Sequence, residues 1–231
     1  MTTDALYHKV GLTIRRAEHM GMCFGVRDAI ALAKREAAVA PLTVLGELVH
    51  NATVLEDLSR SGVRFENQPE HVRTPAAMIT AHGTSDDARA RAESAGLQLR
   101  DATCPLVHHA HRKLQGLVGQ GYHPVVIGRA GHVEVRGMTD DLEAVDVVLS
   151  AQEVMQLQAR KRFGVVAQTT QPIARVKLLV AQIRQTFPEA DVKFVDTVCQ
   201  PTKQRQSSAE ALGRQSDVVI VVGGAYSNNT K

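Results

Sequence analysis

Three cysteines that are far apart in the sequence have similar surroundings. Cys23, Cys104 and Cys199 each follow a short strand-like run and precede an amphipathic segment that predicts a helix. The free N–H groups at a helix N-terminus favour a thiolate, which is the form of cysteine that binds metal. Three such cysteines therefore suit a metal centre better than nucleophilic catalysis, which needs one cysteine and a dedicated base.

A polar loop follows each cysteine at a nearly constant distance. The predicted helices lead into apolar runs that end in glycine, "LTVLG", "PVVIG" and "VVIVVGG", which are typical of buried parallel strands. The spacing is 27 residues from Cys23 to His50, 28 from Cys104 to His132 and 28 from Cys199 to Ser227. Inert core thiols would have no reason to keep this spacing, so that alternative is disfavoured.

Two further polar positions complete the pattern. The stretch "AAMITAHGT" predicts a strand that ends at His82, and "RFGVVAQTTQ" predicts one that ends at Thr169. Each is followed by a helix-like segment and then by the next cysteine. Such alternation predicts parallel α/β units with right-handed crossovers. Because ligands of these sheets bind at the carboxyl ends of the strands, we expect the polar residues and the cysteines to meet there.

The predicted fold class is α/β, with three small parallel-sheet lobes in a pseudo-threefold cloverleaf around a common centre. The expected boundaries are 10–104 for the first lobe, 105–198 for the second and 199–231 for the third. By analogy with the first two lobes, the third is expected to be incomplete, because the sequence stops within "AYSNNTK". The cores must be aliphatic, since 44% of the 231 residues are hydrophobic but none is Trp.

Composition disfavours several classes of protein. The formal charge of +3 is mild and includes no block of Lys or Arg, so nucleic-acid binding has little support. No apolar run approaches the ~18 residues of a membrane span, and the first residues lack a secretory pattern, which together predict a cytoplasmic protein. In that compartment three cysteines are not expected to form disulfides.

The chemistry of a three-cysteine centre favours an iron-sulfur cluster. Structural zinc usually takes a close pair of cysteines, which this sequence lacks. A cubane cluster with three cysteine ligands leaves one iron without a protein ligand, and that iron can act as a Lewis acid. Nearby side chains can donate hydrogen bonds to a phosphate-like anion: His50, His82, His132, Thr169, Ser227 and Asn229. Glu134 is instead a candidate proton donor, because a carboxylate is disfavoured beside a bound anion.

Eight motifs in order resemble the 4-hydroxy-3-methylbut-2-enyl diphosphate reductase family of the methylerythritol phosphate route to isoprenoids. They are "GMCFGV", "GELVHN", "AHG", "DATCPLV", "GHVEVRG", "AQTT", "DTVCQPT.QRQ" and "YSNNT", and they span Cys23 to Thr230. The family is similar in fold to the repeat described above, with three α/β lobes around a 4Fe-4S cluster. The position of Asn228 is a serine in some members, and the family has C-terminal segments that this sequence lacks.

The resemblance implies an iron-sulfur oxidoreductase that reductively dehydroxylates an allylic diphosphate to isopentenyl and dimethylallyl diphosphate. It implies that Cys23, Cys104 and Cys199 hold the 4Fe-4S cluster. Glu134 would supply a proton and Thr169 would help to orient the hydroxyl. The diphosphate would be held by six residues: His50, His82, His132, Ser227, Asn228 and Asn229. An external donor such as ferredoxin or flavodoxin would supply electrons, in agreement with the absence of a nucleotide-binding glycine motif.

Two alternatives stay open at this point. One is a truncated, non-catalytic relative that binds the cluster or the diphosphate without turnover. The other is a non-redox iron-sulfur hydro-lyase, in which the open iron activates water or a hydroxyl without a change of redox state.

Overall fold

The structure is a computed structural model, and it describes residues 7–9, 12–224 and 230. Ten strands form in this part of the chain: β1 (Tyr7–Lys9), β2 (Leu12–Ile14), β3 (Leu42–Leu45), β4 (Val63–Glu66), β5 (Ala76–Ile79), β6 (Gln98–Asp101), β7 (His123–Ile127), β8 (Asp146–Val148), β9 (Arg162–Ala167) and β10 (Asp191–Phe194).

Eight α-helices alternate with these strands in the described ranges: α1 (Phe24–Val39), α2 (Ala52–Arg60), α3 (Asp86–Ser94), α4 (Pro105–Gly119), α5 (Val133–Thr139), α6 (Ala151–Met155), α7 (Ile173–Thr186) and α8 (Gln200–Gly213). In the same ranges, a 3₁₀ turn covers Pro69–His71. Within these ranges, no helix has both the length and the apolar character that crossing a membrane requires.

Two parallel four-stranded sheets carry the fold. The first has the strand order β4-β3-β5-β6 and the second has the order β10-β9-β7-β8. Every neighbouring pair within them is parallel, which confirms the predicted α/β class. The order makes β3 and β5 neighbours in the first sheet, and β7 and β9 neighbours in the second. The loops after these neighbouring strands carry the predicted polar residues, so the topology brings those loops together in pairs.

The second sheet is buried on both faces, which explains the continuous apolar runs of its central strands. In β7, Val125 and Ile127 belong to one core together with residues of α6 and α7. Val126 points to the opposite face and packs with residues of α4 and α5. Successive residues of a strand alternate between faces, so "PVVI" fills both cores at once.

The prediction of a third buried strand in "VVIVVGG" is wrong for the described residues. The run 218–222 has no strand structure, and all five of its side chains are exposed, from 43% for Val219 to 92% for Val222. Within the described ranges no third parallel sheet forms beside it, so the run has no strand to pair with and no core to enter. The antiparallel pair β1-β2 was not expected either.

Candidate functional site

Each cysteine lies at the N-cap of a helix, as the sequence predicts. Cys23 caps α1, Cys104 caps α4 and Cys199 caps α8. Pro105 in the first turn of α4 and Pro201 in the first turn of α8 fix where those helices begin, because proline tolerates the first turn but not the interior. All three thiols are free and partly buried.

The structure brings the three cysteines together. A Cβ atom added to Gly25, in the first turn of α1, would lie 2.5 Å from the Sγ atom of Cys104. The start of α1 therefore packs directly on this thiol, which only a glycine permits. Cys23 and Cys199 both raise the pKa of the Cys104 thiol through their charge, so all three sulfur atoms lie within electrostatic reach of one another.

Burial outweighs the effect of the helix N-terminus on the pKa of two thiols, those of Cys104 and Cys199. Desolvation raises the pKa of Cys104, while the backbone N–H groups of Leu106 and Val107 lower it by a smaller amount. Desolvation also raises the pKa of Cys199, against hydrogen bonds from Thr202. The helix ends thus favour the thiolate as expected, but the net shift has the opposite sign.

The donor set of this centre consists of three thiols. Three soft sulfur ligands are of the type that holds iron-sulfur clusters. Among the side chains that the structure describes, no group of three or more His, Cys, Asp or Glu is arranged to hold a single metal ion.

Three histidines from both sheets form one cluster. His50 follows β3, His82 follows β5 and His132 follows β7. The rings of His50 and His82 stack with centroids 4.4 Å apart, and the ring of His132 lies edge-on at 5.3 Å from His50 and 5.8 Å from His82. The sequence prediction that these three residues meet is confirmed.

Two members of the histidine cluster, His82 and His132, are neutral at neutral pH. Burial, together with the charges of His50 and His132, lowers the pKa of His82 to about 3. Burial, with His50 and Arg129, lowers the pKa of His132 to about 4. The backbone N–H of Glu134 donates to Nδ1 of His132 at 3.1 Å. Nδ1 is therefore the acceptor, and the neutral ring carries its proton on Nε2, where it can donate to an anion.

Glu134 is a buried acid that links the histidine cluster to the cysteines. Its side chain is 2% exposed, and Oε1 accepts a hydrogen bond from the backbone N–H of Thr169 at 2.6 Å. Burial raises the pKa of Glu134 to about 7, although the contacts with Thr169 oppose the shift. Its charge also raises the pKa of Cys199, which places the acid near that thiol.

Two of the sequence motifs contain a further residue whose contacts join separate segments of the site. Gln168 of "AQTT" is fully buried, and its Oε1 accepts from the backbone N–H of Arg129 at 3.1 Å, which ties the loop before His132 to the loop of Thr169. Arg205 of "QRQ" contacts the segment before Cys23. Ser227, Asn228 and Asn229 lie outside the described residues.

The fold and the site define an α/β protein of parallel sheets in which cysteines at three helix N-termini adjoin a histidine cluster and a buried acid. The LytB protein family profile matches residues 14–231. The chain belongs to the LytB family.

Several relatives of this chain share one enzyme name. The 4-hydroxy-3-methylbut-2-enyl diphosphate reductase of Pelobacter propionicus is 36% identical over 217 residues, which are 93% of this chain and 77% of that protein. The enzyme of the same name from Chromobacterium violaceum is 34% identical over 94% of this chain and 72% of its own.

Two solved structures that match the fold of this chain carry similar enzyme names. The E-1-hydroxy-2-methyl-but-2-enyl-4-diphosphate reductase of Plasmodium falciparum matches with a TM-score of 0.84 at 29% identity, over 91% of this chain and 68% of that one. A structure of (E)-4-hydroxy-3-methyl-but-2-enyl diphosphate reductase, the terminal enzyme of the non-mevalonate pathway, matches with a TM-score of 0.75 at 33% identity, over 93% of this chain and 78% of that one. The predicted family is confirmed.

Proposed function

We propose that this chain catalyses the reductive dehydroxylation of (E)-4-hydroxy-3-methylbut-2-enyl diphosphate to isopentenyl and dimethylallyl diphosphate. The allylic C–O bond breaks, two electrons and two protons are consumed, and the oxygen leaves as water. The observation that carries the proposal is the meeting of three cysteine thiols, three histidines and one buried acid at the carboxyl ends of parallel strands. Membership of the LytB family and the names of the relatives support it.

Cys23, Cys104 and Cys199 would hold a 4Fe-4S cluster. When bound, such a group supplies electrons and an open iron with Lewis acidity. The protein contributes three helix N-termini that bring the thiols together, and a glycine that lets α1 approach Cys104. It also buries the thiols partly, which limits the access of water to them.

The histidine cluster would bind the diphosphate. His50, His82 and His132 come from three separate loops, so together they can contact several oxygens of one anion. His82 and His132 are neutral without a ligand, and a diphosphate raises their pKa because a nearby negative charge favours the protonated ring. Ser227, Asn228 and Asn229 belong to the same proposed site.

Glu134 would deliver a proton to the departing hydroxyl. A pKa of about 7 means that a large share of this acid is protonated at neutral pH, which suits a general acid. The N–H of Thr169 holds Oε1 as an acceptor, and this leaves Oε2 to carry the proton. Thr169 would therefore orient the acid as well as the substrate hydroxyl.

The electrons would come from an external carrier such as ferredoxin or flavodoxin, and the reaction would take place in the cytoplasm. The resemblance to the family supports the carrier, and the composition supports the compartment.

Anaerobic purification followed by a substrate-dependent assay tests this function. We expect a brown protein with about four irons per chain, loss of the cluster in Cys104→Ser, and oxidation of dithionite through a viologen dye only when the allylic diphosphate is present. A colourless, metal-free protein after anaerobic isolation would contradict the proposal. A cluster without substrate-dependent oxidation would indicate a non-catalytic relative. Product formation at the same rate with and without reductant would indicate a hydro-lyase.

A further inference from the structure

One arginine of α8 donates hydrogen bonds to backbone carbonyl oxygens that lie close in sequence to two of the three cysteines. The Nε and Nη2 atoms of Arg205 donate to the carbonyl oxygen of Gly21 at 3.1 and 2.8 Å. Its Nη1 atom donates to the carbonyl oxygen of Pro201 at 3.0 Å. Gly21 lies two residues before Cys23, and Pro201 lies two residues after Cys199. A single guanidinium group thus joins the segments that carry two of the three thiols.

The segment 15–23 needs such support because it contains no helix or strand. It is attached to α8 and the residues after it at two further points. The backbone N–H of His19 donates to Oγ of Ser208 at 3.0 Å, and Nη1 of Arg15 donates to Oε1 of Gln215 at 2.8 Å. Of these attachments, the one made by Arg205 is nearest in sequence to the cysteine.

The three thiols are held in relation to one another by different contacts. Gly25 brings Cys23 close to Cys104, because α1 packs on the second thiol. This contact does not involve Cys199, which lies at the start of another helix. Of the contacts that attach the Cys23 segment to α8, the hydrogen bonds of Arg205 lie nearest in sequence to both Cys23 and Cys199.

We propose that Arg205 is a positioning residue that fixes the Cys23 segment against the Cys199 helix, so that the three thiols can bind one cluster. This inference rests on the proposed function in so far as a cluster is the bound group. The planar, forked guanidinium can serve two carbonyl oxygens at once, whereas the single ammonium group of a lysine has no rigid fork and cannot replace it fully.

The first test uses the metal-free, reduced, full-length chain and so does not depend on the cluster. Iodoacetamide labels the cysteines, and peptide mass spectrometry gives the rate at Cys23 relative to Cys104. We expect Arg205→Ala to raise this relative rate by about 5- to 10-fold, which corresponds to the net contribution of one typical hydrogen bond. Arg205→Lys should restore part of the protection. The matched control is Arg214→Ala, which removes an exposed arginine at the end of the same helix.

A second variant keeps the test valid if Arg205→Ala folds poorly. Gly21 has a φ of +76° and no atom within 4 Å of an added Cβ, so Gly21→Ala strains the same carbonyl without a clash. It should raise the labelling rate at Cys23 as well. The rate in the double variant should not exceed the higher of the two single-variant rates, because both changes act on one contact.

The second test reconstitutes the cluster anaerobically and records iron content and the electron paramagnetic resonance spectrum of the reduced protein. We expect Arg205→Ala to bind less iron and to give an altered spectrum, with recovery in Arg205→Lys. If Cys23 reactivity, iron content and spectrum in both Arg205 variants match those of Arg214→Ala, the inference is wrong. If the unmodified chain binds no iron while Cys23 still responds to Arg205→Ala, the proposed function fails and the positioning role stands.

Discussion

Oε1 of Glu134 lies 2.6 Å from the backbone nitrogen of Thr169. The two residues follow neighbouring strands, since Glu134 is in the helix after β7 and Thr169 is in the loop after β9. Parallel pairing of these strands therefore brings the carboxyl group of Glu134 within hydrogen-bond distance of the backbone N–H of Thr169. Burial at the same place keeps its pKa near 7, so one feature of the topology fixes both the geometry and the protonation of the proposed proton donor.

Replacing Glu134 by glutamine should lower turnover without loss of binding. Glu134→Gln keeps the oxygen that accepts from Thr169 but carries no transferable proton. We expect turnover of the allylic diphosphate to fall by ~100-fold or more, the usual contribution of a general acid. Iron content and diphosphate affinity should stay unchanged. Equal activity in the dithionite and viologen assay would remove Glu134 from the mechanism.

The same substitution should change how stability depends on pH. The pKa of Glu134 is raised from 4.5 to about 7. Between these values the folded protein holds a proton that the unfolded chain has lost, so stability decreases as pH rises through this window. Glu134→Gln removes this loss, and its unfolding free energy relative to the unmodified chain should increase by roughly 2 to 4 kcal/mol from pH 5 to pH 8.

Urea denaturation of the metal-free chain at several pH values measures this effect. The control is Glu143→Gln, a substitution of an exposed glutamate. A stability difference for Glu134→Gln that is flat with pH would show that the buried acid does not titrate in this range.

Binding of pyrophosphate should take up protons at the histidine cluster. Because His82 and His132 have lowered pKa values, their rings are neutral at pH 7. A bound anion stabilises the charged ring, so we expect uptake on the order of one proton per pyrophosphate. Calorimetric titrations in two buffers with different ionisation heats measure this number.

Comparison of variants separates this uptake from the protonation of pyrophosphate itself. His82→Asn should bind more weakly and take up fewer protons, whereas His109→Asn, which changes an exposed histidine on α4, should match the unmodified chain. Identical uptake in all three proteins would assign the protons to the ligand alone.

Sequence was sufficient for those features that depend on strand and helix order. The spacing of cysteines and polar loops predicted the meeting of Cys23, Cys104 and Cys199 and that of the three histidines, because parallel strands present their carboxyl ends at one edge of a sheet. Three residues were identifiable only from contacts in the folded protein. Gly25, Gln168 and Arg205 act through contacts between segments up to 184 residues apart, and no local pattern reports such contacts.

The run 218–222 shows the other limit of sequence reasoning. Its composition is that of a buried strand, but a strand forms only where partners are available to pair with it. In the described part of the chain it lies exposed beside α8. The apolar run therefore indicated correctly that the segment prefers a strand, but it predicted wrongly that the strand forms here.

This exposed run should promote self-association of the chain. Five consecutive aliphatic residues with high strand preference and no charge are typical of aggregation-prone segments. Ile220 is 82% exposed, and Ile220→Lys should reduce concentration-dependent light scattering. Leu178→Lys changes an isolated leucine on α7 that is 71% exposed and should have little effect. If both substitutions act equally, general solubility rather than the run is responsible.

Gly25 should be the position at which a single methyl group does most harm to the cysteine centre. In Gly25→Ala the new Cβ would lie 2.5 Å from Sγ and 3.1 Å from Cβ of Cys104. Because α1 is fixed by its buried residues Ala29 and Ala33, the helix cannot retreat without loss of its own packing. We expect a destabilisation of about 1 to 3 kcal/mol, the usual cost of overpacking, and a clear loss of iron after reconstitution.

Gly116→Ala provides the matched control on the helix that Cys104 caps. A Cβ at Gly116 meets no atom within 4 Å, so alanine there should stabilise α4 by about 0.5 to 1 kcal/mol through helix propensity alone. Urea unfolding and iron content of the two variants then separate the effect of glycine as such from the approach of α1 to the thiol. A Gly25→Ala protein that gains stability as Gly116→Ala does and binds its full complement of iron would show that α1 can move away from Cys104 at no cost.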